Sequence, residues 1–353
     1  MSITRPERVT ISDIARRLDI SKASVSYALN GRPGVSAQTR ARVLDLAEEL
    51  GFHPSSAAVA LSAARTGTIG IVIARDPAVI TAEGFYMRTL FGVEQYLNDA
   101  DGSLLLRLTG ESGEDLEVYR RWARQGRVDG FILYDEHDDD PRVPLLLSMR
   151  MPCVMVTSSP IDDHIGRLIT PEVETVTVML DHLNSLGHKR IAHLSGPTSY
   201  IHERVRAQMM TTEGKRRGMR MRHVEGTYSY DSGAAEAHRL LTLSARTRPT
   251  ALVVGNDIMA TAALRAAAEH SVRVPEELSI IAWDDSVLCQ VARPQITAMD
   301  HGLMEKARLA THLLFDLIGG GTQVHRYSPV GTLLVRESTG PATSSTHPKV
   351  TVR

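Results

Sequence analysis

Cysteine is nearly absent from this chain: Cys153 and Cys289 are the only two in 353 residues. They are too far apart in sequence for a paired-cysteine zinc motif, and two cannot build a disulfide framework. Both lie in apolar, strand-like stretches and read as buried core thiols. No run reaches the eighteen or so apolar residues of a membrane span. The N-terminus lacks the apolar centre of a secretory leader, so the expectation is a soluble, cytoplasmic protein without a membrane partner. Gly-x-Ser-x-Gly, a phosphate loop and zinc-spaced histidines are also missing. Fourteen histidines and the Asp284-Asp285 pair do not by themselves make a catalytic centre, and Asp138-Asp139-Asp140 before Pro141 reads as solvated loop charge. No enzyme, catalytic residue, metal or cofactor is expected.

Residues 9–30 hold the most informative pattern. Ile11, Ile14, Ala15 and Leu18 recur at helical spacing, with Thr10 as N-cap and Asp13 three residues on, an acidic variant of the capping box. Asp19-Ile20 turns the chain. Ser21 caps a second helix whose inner side is Val25, Ala28 and Leu29, and whose outer side is Lys22, Ala23, Ser24, Ser26, Tyr27 and Asn30. This is a helix-turn-helix with a polar recognition helix. Ser36 caps a third helix, Ala37–Leu50, with Val43, Leu44, Ala47 and Leu50 inward, and Gly51 ends it. His53-Pro54 stops any helix, and the small, uncharged residues 55–64 read as a linker too short for an isolated stable helix. Residues 1–65 hold nine Lys/Arg against six Asp/Glu, while the remainder holds 31 against 35. A basic head on an acidic body suits a double-stranded DNA reader with a separate sensing domain. Arg5, Arg8, Arg16, Arg17, Lys22, Arg32, Arg40 and Arg42 are available for phosphates.

From residue 66 the pattern alternates strand and helix. Strands are expected at 69–74, 103–108, 128–134, 153–156, 190–194, 251–255 and 279–283. Helices are expected at 85–99, 115–124, 143–150, 175–186, 203–217, 232–243 and 259–269. Such alternation predicts parallel sheets with helices on both faces, and ligands at the carboxyl ends of the strands. A break near residue 160 divides the alternation into two similar lobes. Asn256 and Asp257 fall just past one strand end, and Asp284 just past the next, where amide and carboxylate groups can pair with sugar hydroxyls.

Five short blocks in order carry a family likeness: Leu186–Ala192, Pro249–Asp257, Val274–Asp285, Arg293–Thr297 and Leu334–Thr339. Together with the helix-turn-helix they make residues 9 to about 339 resemble the lactose/galactose repressor (LacI/GalR) family of bacterial transcription regulators. The resemblance implies an all-α helix-turn-helix head plus an α/β two-lobed periplasmic-binding-protein-like body, with the head at 1–52, a hinge at 53–67 and the effector-binding and dimerisation domain at 68–340. Lobe 1 would take about 68–162 and 295–325, and lobe 2 about 163–294 and 326–340. Crossovers are expected near 160–166, 292–296 and 322–328, with a disordered tail at 341–353.

The same resemblance implies a homodimer on a palindromic DNA operator, controlled by a small-molecule effector, a sugar or sugar derivative, and acting as a repressor. Thr10, Ser21, Lys22, Ala23, Ser24, Ser26, Tyr27 and Asn30 would face DNA, with Lys22, Ala23 and Tyr27 reading bases. Ala58 would keep a hinge helix slim, and Leu61 would wedge into the minor groove. Arg204 would reach the effector, with Phe85, Tyr86, Tyr228, Asn256, Asp257, Trp283 and Asp284 around it. The chain departs from the family pattern at Asp19, Tyr27, Thr157, Pro171-Glu172 and Ala207-Gln208, which leaves the effector open between sugars and purines. A solute-binding transport protein would suit the body but not the head, and turnover of a sugar or nucleoside would point to an enzyme.

Overall fold

The computed structural model describes residues 9–52, 65–110, 113–159 and 165–342. Ala58, Leu61, most of the expected hinge and the tail from residue 343 lie outside them. The chain divides into two compact units, Met1–Thr66 and Gly67–Arg353.

The first unit is three helices, α1 (Ile11–Leu18), α2 (Lys22–Leu29) and α3 (Ala37–Glu49). Each starts on a hydroxyl cap. Thr10 Oγ1 accepts from the Asp13 N–H at 3.3 Å while the Asp13 carboxylate accepts from the Thr10 N–H at 2.9 Å, satisfying two otherwise orphan donors. Ser21 and Ser36 accept from the N–H groups of Ser24 and Thr39. Asp19 takes the left-handed backbone that closes α1, at φ 52°, which Asp tolerates better than most residues. Ile14, Ala15, Val25, Ala28, Val43 and Ala47 are buried together. Leu44, expected inside, is 47% exposed, and Leu46 packs on the core instead. Val43, Leu46, Ala47 and Leu50 share one helical stripe, and Leu44 sits one step off it.

The second unit holds two six-stranded sheets. The first is built from β1 (Thr68–Ala74), β2 (Ser103–Thr109), β3 (Gly130–Leu133), β4 (Cys153–Thr157), β5 (Gly166–Ile169) and β11 (His325–Tyr327), in the order β11-β5-β4-β3-β1-β2. The second is built from β6 (Arg190–Ser195), β7 (Arg220–Glu225), β8 (Ala251–Val254), β9 (Ser279–Ala282), β10 (Thr297–Asp300) and β12 (Thr332–Leu334), in the order β12-β10-β9-β8-β6-β7. The two orders are the same arrangement repeated. Every pairing is parallel, as expected, except that of the edge strand β12 with β10. Alternate residues feed opposite cores: Ile69, Ile71 and Ile73 face one side of the first sheet and Val72 the other, the period of two that a doubly covered strand imposes.

Helix α4 (Pro77–Ala82) bridges the two lobes, with Val79 in the second-lobe core and Ile80 against the first. Helices α5 (Gly84–Asp99), α6 (Asp115–Arg124), α7 (Arg142–Ser148) and α13 (Leu303–Ile318) belong with the first sheet. Helices α8 (Glu172–Ser185), α9 (Ile201–Arg216), α10 (Tyr230–Leu241), α11 (Asp257–Glu269) and the short α12 (Val287–Val291) belong with the second. Gly92 lets α5 and α13 meet backbone to backbone, since a Cβ there would lie 2.2 Å from the Met304 carbonyl oxygen.

The chain passes between sheets at Thr170-Pro171, His301-Gly302 and Ser328–Gly331, further along than expected each time. The four-residue strands β5 and β10 cause the first two displacements. They carry too few residues to show a period, yet β5 pairs with β4 and β10 with β9, holding each to the sheet it follows. Lobe 1 therefore runs through Ile169 and resumes with α13, and lobe 2 begins with α8. Pro341 and Ala342 also differ from the expected disordered tail, because the Ala342 N–H donates to the Leu186 carbonyl at 2.7 Å.

Candidate DNA-binding and effector-binding sites

On α2 the residues opposite the Val25–Ala28 core are exposed or half-exposed. Lys22, Ala23 and Tyr27 project most, with Tyr27 41% exposed and its ring lying against Gly34. Asn30 turns back, its Nδ2 donating to the Ser26 carbonyl at 2.8 Å. Ser21 and Ser24 hydroxyls lie 2.8 Å apart at the helix start, and Thr10 Oγ1 donates to Asp13 at 2.7 Å. The polar face is thus a short platform with Lys22, Ala23 and Tyr27 free to contact a partner and the hydroxyl residues fixing its N-terminal ends.

In the second unit the carboxyl ends of both sheets face one cleft. After β1 comes Arg75, whose guanidinium forks onto Asp135 at 2.9 and 2.6 Å. Burial pushes the Asp135 carboxyl up, but Arg75 outweighs it and holds it well below the usual range. Tyr86 also donates to Asp135, at 2.7 Å. Arg75 lies over the rings of Tyr200 and Tyr228, 4.2 and 4.9 Å from their centroids, so a first-lobe cation is clamped by second-lobe aromatics.

The second lobe places Arg206 at the centre. Its guanidinium donates to Glu172 at 3.0 Å and to Glu203 at 2.7 Å, and sits 4.0 Å over the Trp283 ring. Burial raises the Glu203 carboxyl, but Arg206 prevails and brings it down to about 2. Tyr228 OH donates to Glu203 at 2.6 Å. Gly196 is required beside it, because a Cβ there would lie 2.0 Å from the Tyr228 ring. Asn256 caps α11 through Oδ1 at 2.8 Å, and its Nδ2 donates to Glu83 at 2.8 Å across the cleft and to the Tyr228 carbonyl at 2.9 Å.

Between the lobes is a cavity of about 90 Å³. Phe85, Trp283 and His301 supply its aromatic surface, and Glu172, Arg206, Asp284 and Lys306 line it with ionisable groups. The hydroxyls of Tyr134 and Ser158 are buried without a hydrogen-bond partner, and both residues line the cavity. Burial pushes the Asp284 carboxyl up to about 8, despite Arg206. Among the described residues neither its carboxyl nor the Lys306 ammonium forms an ion pair. Burial also lowers His301 well below the ordinary histidine range, leaving a neutral ring whose Nε2 lies 2.8 Å from the Trp283 carbonyl. No group of His, Cys, Asp and Glu among the described residues could hold a metal ion.

Of the expected effector residues, Phe85, Trp283 and Asp284 line this cavity. Tyr86, Tyr228 and Asn256 stand behind it, buried, holding Asp135, Glu203 and Glu83. Asp257 is buried at the start of α11, where its carboxylate accepts from the Ile258 N–H. Arg204 points elsewhere: it donates to the Thr198 carbonyl at 3.1 Å and pairs with the exposed Asp138. Arg206 occupies the place given to Arg204. Two residues along a helix is about 200°, so Arg206 lines the cavity while Arg204 meets the first lobe outside it, at Asp138. Glu172, Lys306, His202 and His301 also line the cavity and were not expected there. The signal available was position, since Glu172, His301 and Lys306 all fall within a few residues of a strand end.

Known proteins agree with this architecture. A model of the bacterial regulatory proteins, lacI family, matches residues 10–55, and one of the periplasmic binding protein-like domain matches residues 180–339. Catabolite control protein A of Priestia megaterium is 30% identical over 314 residues, covering 87% of this chain and 91% of that protein. The transcriptional regulator CelR, solved in complex with cellobiose, aligns at TM-score 0.71 and 27% identity over 94% of this chain and all of its own. The lac repressor dimer bound to operator and the anti-inducer ONPF has the same fold, at TM-score 0.81 and 24% identity over 95% of this chain and all of its own. No helix among the described residues is long and apolar enough to cross a membrane. A capped helix-turn-helix ahead of two facing sheets, with relatives that regulate transcription rather than catalyse reactions, makes this chain a member of the LacI family of bacterial transcriptional regulators.

Proposed function

We propose that the protein is a repressor that grips a near-palindromic operator as a homodimer and that a sugar or sugar derivative in the cleft sets the strength of that grip. The observation that carries the reading is the set of unmatched polar groups around one cavity: the hydroxyls of Tyr134 and Ser158, the carboxyl of Asp284 and the ammonium of Lys306, beside the Trp283 ring. Hydroxyl-rich ligands supply donors and acceptors to such groups while an apolar sugar face covers an aromatic plane. The cellobiose complex of CelR, a relative over nearly the whole chain, supports the same ligand class. At about 90 Å³ the cavity is smaller than the usual small-molecule pocket. A sugar enters only if the lobes part or side chains shift, and that motion is the coupling the regulator needs.

Dimerisation is supported by an apolar surface spanning both lobes. Met87 and Phe91 on α5 and Val287 and Val291 on α12 are each 59–68% exposed. Arg88 donates to the Asp285 carbonyl at 2.8 Å and draws the two helices together. Patches of this kind mark protein contacts, and a second copy is the partner that two half-sites one helical turn apart require. Lys22, Ala23 and Tyr27 read bases, Ser21, Ser24, Ser26, Asn30 and Thr10 position the helix, and Leu61, with Ala58 beside it, is the minor-groove wedge. Acting on DNA assigns the protein to the cytoplasm.

The test is selection of binding sites from random duplexes by the purified protein, followed by anisotropy titration of the selected site with a panel of sugars and purines. A near-palindrome whose affinity changes with one of the sugars is the expected result. A monomer without preference for symmetric duplexes at low salt overturns the reading, and a response to purines alone overturns its sugar part.

A further inference from the structure

At the amino-terminal ends of β6 and β7, the opposite end of the second sheet from the cleft, four arginines gather. Arg190 and Arg220 are direct cross-strand neighbours in register, and Arg222 lies two residues along the same face of β7. Arg246 joins them from the loop after α10. Together with Thr247 and Pro249 they line a concavity of about 410 Å³. Like charges set opposite one another on paired strands destabilise the pair, yet none of the four forms an ion pair among the described residues. Glu277, whose carboxyl feels the neighbouring Arg248, is already taken by Arg273 at 3.0 Å. Arg190 is held in place, its Nε donating to the Arg248 carbonyl at 2.9 Å, while Arg220, Arg222 and Arg246 are exposed.

We infer that this concavity is a second binding site, for a small phosphate-bearing metabolite. Guanidinium forks match pairs of phosphate oxygens, and several converging on one recess give charge and direction together. The recess falls in the size range of small-molecule pockets, which favours a compact dianion or polyanion over an extended chain. A six-residue strand separates it from the cleft by roughly 20 Å, so it does not depend on the sugar reading.

Pyrophosphate and inorganic phosphate are the probes, titrated into the full-length protein by calorimetry and thermal shift at constant ionic strength, with chloride as the balancing salt. Pyrophosphate is expected to bind with a measurable heat and to raise the melting temperature. The Arg220→Gln/Arg222→Gln variant is expected to weaken it about tenfold or more, with operator affinity unchanged. Arg246→Gln is expected to act in the same direction, and it serves should the double variant fail to fold. Equal binding by wild type and variants, or the same thermal shift from chloride alone, overturns the site. Displacement of pyrophosphate by a random-sequence oligonucleotide at lower concentration overturns the small-molecule assignment in favour of nucleic acid.

Discussion

Arg206 rests on the face of Trp283, its guanidinium carbon 4.0 Å from the ring centroid. The contact joins α9 to the end of β9 and places the cation where Glu172 and Glu203 both reach it. Replacing Arg206 with Met leaves two buried carboxylates without their cation, a loss of about 3–5 kcal/mol by the usual cost of breaking a buried pair. Arg204→Ala removes a contact to the exposed Asp138 and should cost no more than about 1 kcal/mol. Denaturant melts of the two variants should differ accordingly, and a larger loss at Arg204 would contradict the arrangement.

Asp284 titrates at about 8 in the folded chain because it is buried, and near the ordinary carboxyl range when unfolded. Between those values the folded state holds the extra proton. The stability this group contributes is complete below about pH 4 and is lost as pH rises toward 8. Glu83, raised by burial to about 7, acts in the same sense. The melting temperature of Asp284→Asn should fall less between pH 5 and 9 than that of the wild type. Parallel curves would show that Asp284 does not carry the slope.

Gly196→Ala drives a methyl into the Tyr228 ring, whose hydroxyl is fixed on Glu203. Overpacking of this kind costs about 1–3 kcal/mol. The variant should still bind operator but respond weakly to effector, measured as the shift in operator affinity at saturating ligand. An unaltered shift would place Tyr228 outside the effector machinery.

Tyr27→Ala should reduce affinity for the selected operator by about 1–3 kcal/mol, the discrimination of one good base contact. Binding to random duplex should be nearly unchanged. Equal loss on both duplexes, read by anisotropy at fixed salt, would make Tyr27 a phosphate contact.

Phe91→Glu places a charge in the apolar surface shared by α5 and α12. Sedimentation should show a monomer with weakened operator binding. A dimer of wild-type strength would move the interface elsewhere.

The head was readable because its signals are local. Thr10, Ser21 and Ser36 announce their helices by type and spacing, and all three cap as expected. Seven strands and seven helices of the body were readable for the same reason, but β7 was not, because its Arg220–Glu225 run is largely charged and exposed. The choice between Arg204 and Arg206 was not. α9 turns Glu203, Arg206, Met210 and Glu213 to one side, and three of these four are charged. With charge on the inner face as well as the outer, the helix has no apolar stripe to set its phase, and a two-residue slip in alignment goes unnoticed. The short strands β5, β10, β11 and β12 draw their identity from neighbours far off in sequence. α13, by contrast, has its own stripe of Ala307, Ala310, Thr311 and Leu314, and its periodicity was available.

Asn256 performs two tasks with one amide, starting α11 through its oxygen and reaching Glu83 through its nitrogen. Because separate atoms do the two jobs, pulling the lobes apart at this point severs a hydrogen bond yet leaves the helix start intact. On the proposed reading, parting of the lobes at this point would cost one hydrogen bond and leave both halves folded.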